Sequence, residues 1–207
     1  MADIPNRAKE MLPSALLTLM SIIQALALEF LWGMARAAPK EWSAEAVLVW
    51  LQIVATLLGI LQIWMFYTSL ALRFRWIPVT RDLLLPFLIG ILEFTLVELI
   101  GLERLPLWFA TLAIVYLLAT WDAHNVFSRA RRDADNQEYF TTVTPAERRD
   151  FKDAALIVVG LVSFGLALFV FGPVLPLAYA GVLFAAATLA YHLEIGRRFW
   201  NRTMSLG

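Results

Sequence analysis

The sequence predicts an all-α, polytopic membrane protein, a single domain built as a bundle of six transmembrane helices. Three observations carry that reading. Of the 207 residues, 60% are hydrophobic and the mean hydropathy is +0.70, well above the roughly 45–50% apolar content of soluble domains. The apolar residues gather into runs close to the about 20 residues that a bilayer requires. Those runs are continuous rather than alternating, which argues against the strands of a membrane barrel.

The first span is read at 11–34. It is too long for the apolar core of a secretory signal and no small-residue cleavage site follows, so it is expected to stay in the mature chain. The second, 42–72, exceeds what a crossing needs and is expected to tilt or to project past the interface. The third and fourth are read at 82–102 and 105–126. A polar loop, 127–151, follows; its "SRARRDADNQEY" mixes both charge signs, the mark of a solvated connector. In "TPAE" Thr144 can cap, Pro145 takes the first helical position and Glu147 completes a capping box, announcing the fifth span at 152–172. "GPVLP" (172–176) leaves room only for a tight antiparallel turn into the sixth, 174–196. There Gly181, Ala185, Thr188 and His192 share one narrow arc, a packing face of small residues.

Orientation follows from charge. Cationic side chains are retained on the cytoplasmic side. With the N-terminus inside, fourteen of the 17 lysines and arginines lie in cytoplasmic segments, and only Arg36, Lys40 and Arg104 lie outside. Both termini are therefore expected in the cytoplasm, and the cell (inner) membrane is the expected location. Trp32, Trp42, Trp76, Trp108, Trp121 and Trp200 fall near span ends, where an amphipathic ring is most stable. A short echo, "LEF" at 28–30 and again at 92–94, links the first and third spans, which run in the same direction.

"GILEFTLVELIG" (90–101) holds the strongest functional signal. Glu93 and Glu98 fall inside a span that offers no lysine or arginine beside them. At 100° per residue the two acids stand about 140° apart and bracket Gly90 and Gly101. Small residues mark the side where another helix comes close, so both acids are expected to flank a protein-facing surface. In the first span Gln24 and Glu29 repeat the spacing, with Ser14, Thr18 and Ser21 between them. Gln52 and Thr56 add a polar arc in the second. A charge at the bilayer centre costs at least about 2.5–3.5 kcal/mol. Such an acid therefore takes up a proton, binds a cation, faces a wet cavity, or bonds to a neighbouring helix.

The expected function is a channel or transporter for protons or small cations. Glu29, Glu93, Glu98 and Gln24 would form the binding or relay group, and Ser14, Thr18, Ser21 and Gln52 would line the path. The alternative is a lipid- or sterol-binding regulator, or an assembly subunit of a larger membrane complex. The expected partners are membrane lipid, a proton or small cation, and a second copy of the chain. Zero net charge gives no reason to expect nucleic acid.

No enzyme, cofactor or metal is expected. Cysteine is absent, and the two histidines, His124 and His192, sit at span ends on different helices, which does not suit haem between helices. A metal site from Asp122, His124, His192 and Glu194 is disfavoured because residues two apart on a helix point about 200° away from each other. No HExxH, phosphate loop or serine nucleophile motif is present.

Overall fold

The computed structural model describes residues 3–141, 145, 147 and 151–203. The helices are α1 (Ile4–Ala37), α2 (Ala44–Arg73), α3 (Thr80–Glu98), α4 (Leu105–Ala130), α5 (Gln137–Phe140), α6 (Lys152–Phe171) and α7 (Leu175–Thr203), with a 3₁₀ turn, Ala134–Asn136, before α5. Five of them, α1, α2, α4, α6 and α7, are long and apolar enough to cross a membrane. The sixth long helix, α3, has 19 residues but carries Arg81, Asp82, Glu93 and Glu98. Its charged residues, not its length or its mean apolarity, set it apart from the other five.

Local chemistry sets the ends. Asp3 caps α1 by accepting from the Asn6 amide, and Pro5 occupies its first turn, where a missing N–H costs nothing. Pro39 stops it by forcing Ala38 into an extended conformation. Ser43 caps α2 through the Ala46 amide at 3.1 Å. The α3 to α4 turn uses Gly101 at φ 140° and the α6 to α7 turn uses Gly172 at φ 82°, backbone that L side chains avoid. The latter turn is as short as "GPVLP" requires. Thr144 of the anticipated capping box lies outside the described residues; α6 begins at Lys152. Helix α1 begins seven residues before its predicted span, and α7 ends seven residues after its own.

Six long helices pack as neighbours in the order α1, α2, α7, α6, α4, α3, and α3 closes the ring against α1. Glycines set the close approaches. A Cβ at Gly181 would stand 2.6 Å from the Phe109 ring of α4, and one at Gly160 would meet Phe184 of α7 at 2.6 Å. The small-residue arc of α7 is thus a packing face, with Ala185 fully buried. The two "LEF" segments meet: the Phe30 and Phe94 rings lie 5.5 Å apart.

One end of the ring is tied by polar contacts between segments distant in sequence. Lys9 of α1 pairs with Asp133 at 2.6 Å and Asp135 at 2.8 Å. Asn136 accepts from the Arg75 amide and donates to the Arg75 and Ala130 carbonyls. Phe74 stacks among Phe127, Tyr139 and Phe140, and Phe127 also meets Phe199 of α7. The start of α1, the end of α2, the start of α3 and the ends of α4 and α7 therefore share one end, which is also the basic one. Lys9 holds the Asp135 carboxyl below its ordinary value, chiefly through their hydrogen bond. That contact persists above the ordinary carboxylate range and loosens only as pH falls through the lowered value.

At the opposite end the Gly101 amide donates to Gln52 of α2 at 3.0 Å, and Arg104 donates to the Glu98 carbonyl. Helix α3 thus runs from one end of the bundle to the other.

The α1–α3 contact gives a direct test. A Cβ at Gly90 would lie 2.6 Å from Ile23 Cγ2, a methyl on a buried, β-branched side chain that has little room to turn. Gly90→Leu should cost roughly 1–3 kcal/mol of stability through overpacking. Ala110→Leu, on the exposed side of α4, should be nearly silent in the same unfolding assay. Equal effects from the two would overturn the packing.

Candidate functional site

Which side of α1 faces the protein decides what reaches the carboxylates. Leu12, Leu16, Met20, Ile23, Ala27 and Leu31 are buried at helical spacing, and Gln24 is buried with them. From that face Gln24 meets Glu93 of α3. Its Nε2 lies 3.0 Å from both Oε1 and Oε2 of the carboxylate. Glu93 is 2% exposed and Gln24 4%. Among the described residues no lysine or arginine pairs with Glu93.

The other predicted residues fall elsewhere. Glu29 is exposed on α1 and Glu98 is exposed at the end of α3, so one chain does not gather the three acids into a single site. Ser14, Thr18 and Ser21 are also exposed, and Thr18 satisfies its hydroxyl on the Ser14 carbonyl at 2.9 Å. The polar stripe of α1 therefore lies outside the bundle and does not line a path beside Glu93. The reason is geometric: Gln24 and Glu29 stand about 140° apart, so a helix that buries the first turns the second outward. Gln52 is buried, yet its carbonyl oxygen is used to hold the Gly101 turn. Asp122, His124, His192 and Glu194 do not converge. His192 Nδ1 meets the Thr188 carbonyl, Glu194 pairs with Arg197 and Arg198, and His124 packs on Phe151.

Glu93 opens onto a small cavity of about 30 Å³ lined also by Thr56, Gly59, Gln62, Tyr116 and Leu189. That is room for a water molecule, and the walls ask for one. Among the described residues Gln62 Oε1 is buried there without a hydrogen-bond partner, and Tyr116 lines the same space. Gln62 and Tyr116 also line a second cavity of about 270 Å³ between α2, α4 and α7, together with Ser69, Thr120 and His192. Thr120 and His192 in turn line a third, of about 650 Å³, which reaches Arg131 and Arg132 at the basic end. Successive cavities share lining residues from Glu93 toward that end. In the other direction Trp108, fully buried, fills the core and donates its indole N–H to Thr56 Oγ1 at 3.3 Å.

A second buried polar cluster stands at the foot of α3. Asp82 accepts a two-pronged contact from Arg129, at 2.7 and 2.5 Å, and a bond from Trp76 Nε1 at 3.0 Å. Tyr67 donates to Asp122 at 2.8 Å, and Arg81 lies over the Trp121 ring at 4.7 Å. In the sequence Tyr67 shares the polar arc of the second span with Gln52 and Thr56. Asp122 stands out only as a disfavoured metal ligand, and Asp82 does not stand out at all. The available signal was the acids themselves, two aspartates at span ends otherwise dominated by arginine.

Asp82 is 5% exposed, so removing its cation strands a buried charge. Arg129→Met should cost about 3–5 kcal/mol in chemical unfolding. Adding Asp82→Asn, which removes the charge but keeps an acceptor for Trp76, should restore most of the loss. A single variant within about 1 kcal/mol of wild type would show that the pair behaves as an exposed one.

Comparison with known proteins returned no match: no family model, no curated protein and no solved structure matches the chain.

Proposed function

We propose that this protein moves protons or small cations across a membrane, with Glu93 as the group that binds them. One observation carries the reading: a fully buried carboxylate, bonded by a neutral amide, at the head of cavities that lead to the basic end. The magnitudes favour a bound cation or proton. A bare charge at the bilayer centre costs at least about 2.5–3.5 kcal/mol. A hydrogen bond to a charged group returns roughly 1.5–3 kcal/mol. Gln24 thus brings the anion near break-even at best, and a bound proton or cation supplies the remainder.

In this reading α3 is a sixth span. Its 19 residues rise about 28 Å, close to the roughly 30 Å of a hydrocarbon core. The charges at its foot are compensated by Arg129 and by Trp121. Six crossings place both termini on one side, and the excess of arginine and lysine there makes that side cytoplasmic, in the cell (inner) membrane. Glu93 is loaded from the cytoplasm past His192, Thr120, Tyr116 and Gln62. Release on the far side requires α2 and α4 to part at Thr56 and Trp108. Glu29, Glu98 and the Ser14–Thr18–Ser21 stripe could join the path only at a contact between two copies of the chain.

One feature favours the second reading, a lipid- or sterol-binding regulator or an assembly subunit. The middle cavity is walled mainly by Ile63, Met65, Phe66, Phe127 and Phe199, which suits an apolar chain.

Flux into proteoliposomes separates the two. Wild type should carry protons or a monovalent cation down an imposed gradient. Glu93→Gln keeps shape and hydrogen bonding but removes the charge, and should lower flux at least tenfold, equivalent to about 1.4 kcal/mol. Normal transport by Glu93→Gln would remove this carboxylate from the path. No flux in wild type under any gradient would leave the amphiphile-binding reading.

A further inference from the structure

A further cavity lies far from Glu93, at the opposite end of the bundle. It has a volume of about 750 Å³ and sits where α1 ends and α2 begins. Its walls combine two chemistries. Trp32, Trp50 and Val54 form an apolar floor along the two helices, while Arg36, Lys40 and Glu41 form the rim with Trp42. Trp32 is 63% exposed, Trp42 90% and Trp50 41%.

Arg36 and Lys40 are exposed, and neither makes a side-chain hydrogen bond or ion pair among the described residues. They are two of the three cations at this end, and the third, Arg104, is engaged with the Glu98 carbonyl. The hairpin that carries them is fixed. Pro39 ends α1, Ser43 caps α2, and the Tyr179 hydroxyl of α7 donates to the Ala44 carbonyl at 2.6 Å. A rigid rim of two free cations over an apolar, tryptophan-lined floor has the polarity of a lipid with an anionic head.

We infer that this cavity is a binding site for an anionic phospholipid on the outer side of the membrane. The phosphate sits between Arg36, whose planar fork can take two of its oxygens, and the compact charge of Lys40. Trp42 covers the head group, and one acyl chain follows Trp32, Trp50 and Val54 down the α1–α2 groove. From Trp42 to Val54 the groove descends about 15–18 Å, the depth of one leaflet's hydrocarbon. Glu41 shares the rim and reduces its charge to +1. That sets a limit on the head group: a single negative charge suits the site better than a multiply charged one. The site shares no residue with the Glu93 path; only its placement on the outer side rests on the orientation proposed above.

Native mass spectrometry of the full chain in mild detergent tests it, with dioleoyl phosphatidylglycerol and dioleoyl phosphatidylcholine as the probes. Wild type should hold one phosphatidylglycerol molecule at concentrations where phosphatidylcholine does not remain bound. The double variant Arg36→Gln, Lys40→Gln should weaken that binding roughly tenfold or more, as each cation near a membrane surface contributes several-fold. Arg104→Gln, at the same end but outside the cavity, should leave it unchanged. Equal retention of both lipids by wild type would overturn the choice of an anionic head group. Undiminished binding by the double variant, or an equal loss in Arg104→Gln, would overturn the site.

Discussion

A carboxylate buried without a counter-ion is the constraint on which the rest of this structure turns. Glu93 cannot be left bare in an apolar bundle at low cost, and the surrounding residues read as responses to that cost. Gly90, one turn earlier, brings α3 against Ile23 of α1 and so brings Gln24 within bonding distance. Gly59 lines a small cavity on the α2 side, where Gln62 Oε1 has no partner among the described residues. Charge that needs no such device is placed elsewhere. Asp82 has Arg129 and Trp76, and Asp133 and Asp135 have Lys9.

The two ends of the bundle are built differently. The basic end is knitted by long-range ion pairs, by Asn136 bonding three backbone groups, and by the aromatic cluster around Phe74. It is the end from which the cavities rise. The opposite end closes over Trp108 and the Gln52–Gly101 bond, and it turns its free cations outward to the α1–α2 groove.

Much of the helical layout was legible in the sequence. Length and apolarity gave the long helices, and Gly172 with its prolines gave the α6–α7 turn. Gly90 pointed correctly to the side of α3 that meets another helix. What sequence could not decide was the facing of α1. In a soluble protein apolar residues point inward, but lipid and protein interior are both apolar in a membrane. A polar stripe such as Ser14–Thr18–Ser21 then fits either side. Five helices are long, apolar and sparing of charge, whereas α3 carries Arg81, Asp82, Glu93 and Glu98. Only contacts remote in sequence, Asp82 with Arg129 and Arg81 with Trp121, reveal that those charges are compensated. The partnership of Glu93 with Gln24 was equally hidden, since 69 residues separate them.

The proposed access to Glu93 from the basic end is directly measurable, because the chain lacks cysteine. Single cysteines at Gln62 and Thr120, in protein reconstituted with known orientation, can be treated with a membrane-impermeant thiol reagent from either side. Both positions should be modified from the basic side, Thr120→Cys reacting faster, and neither from the opposite side. Modification from the opposite side alone, or no reaction at Thr120→Cys from the basic side, would contradict it.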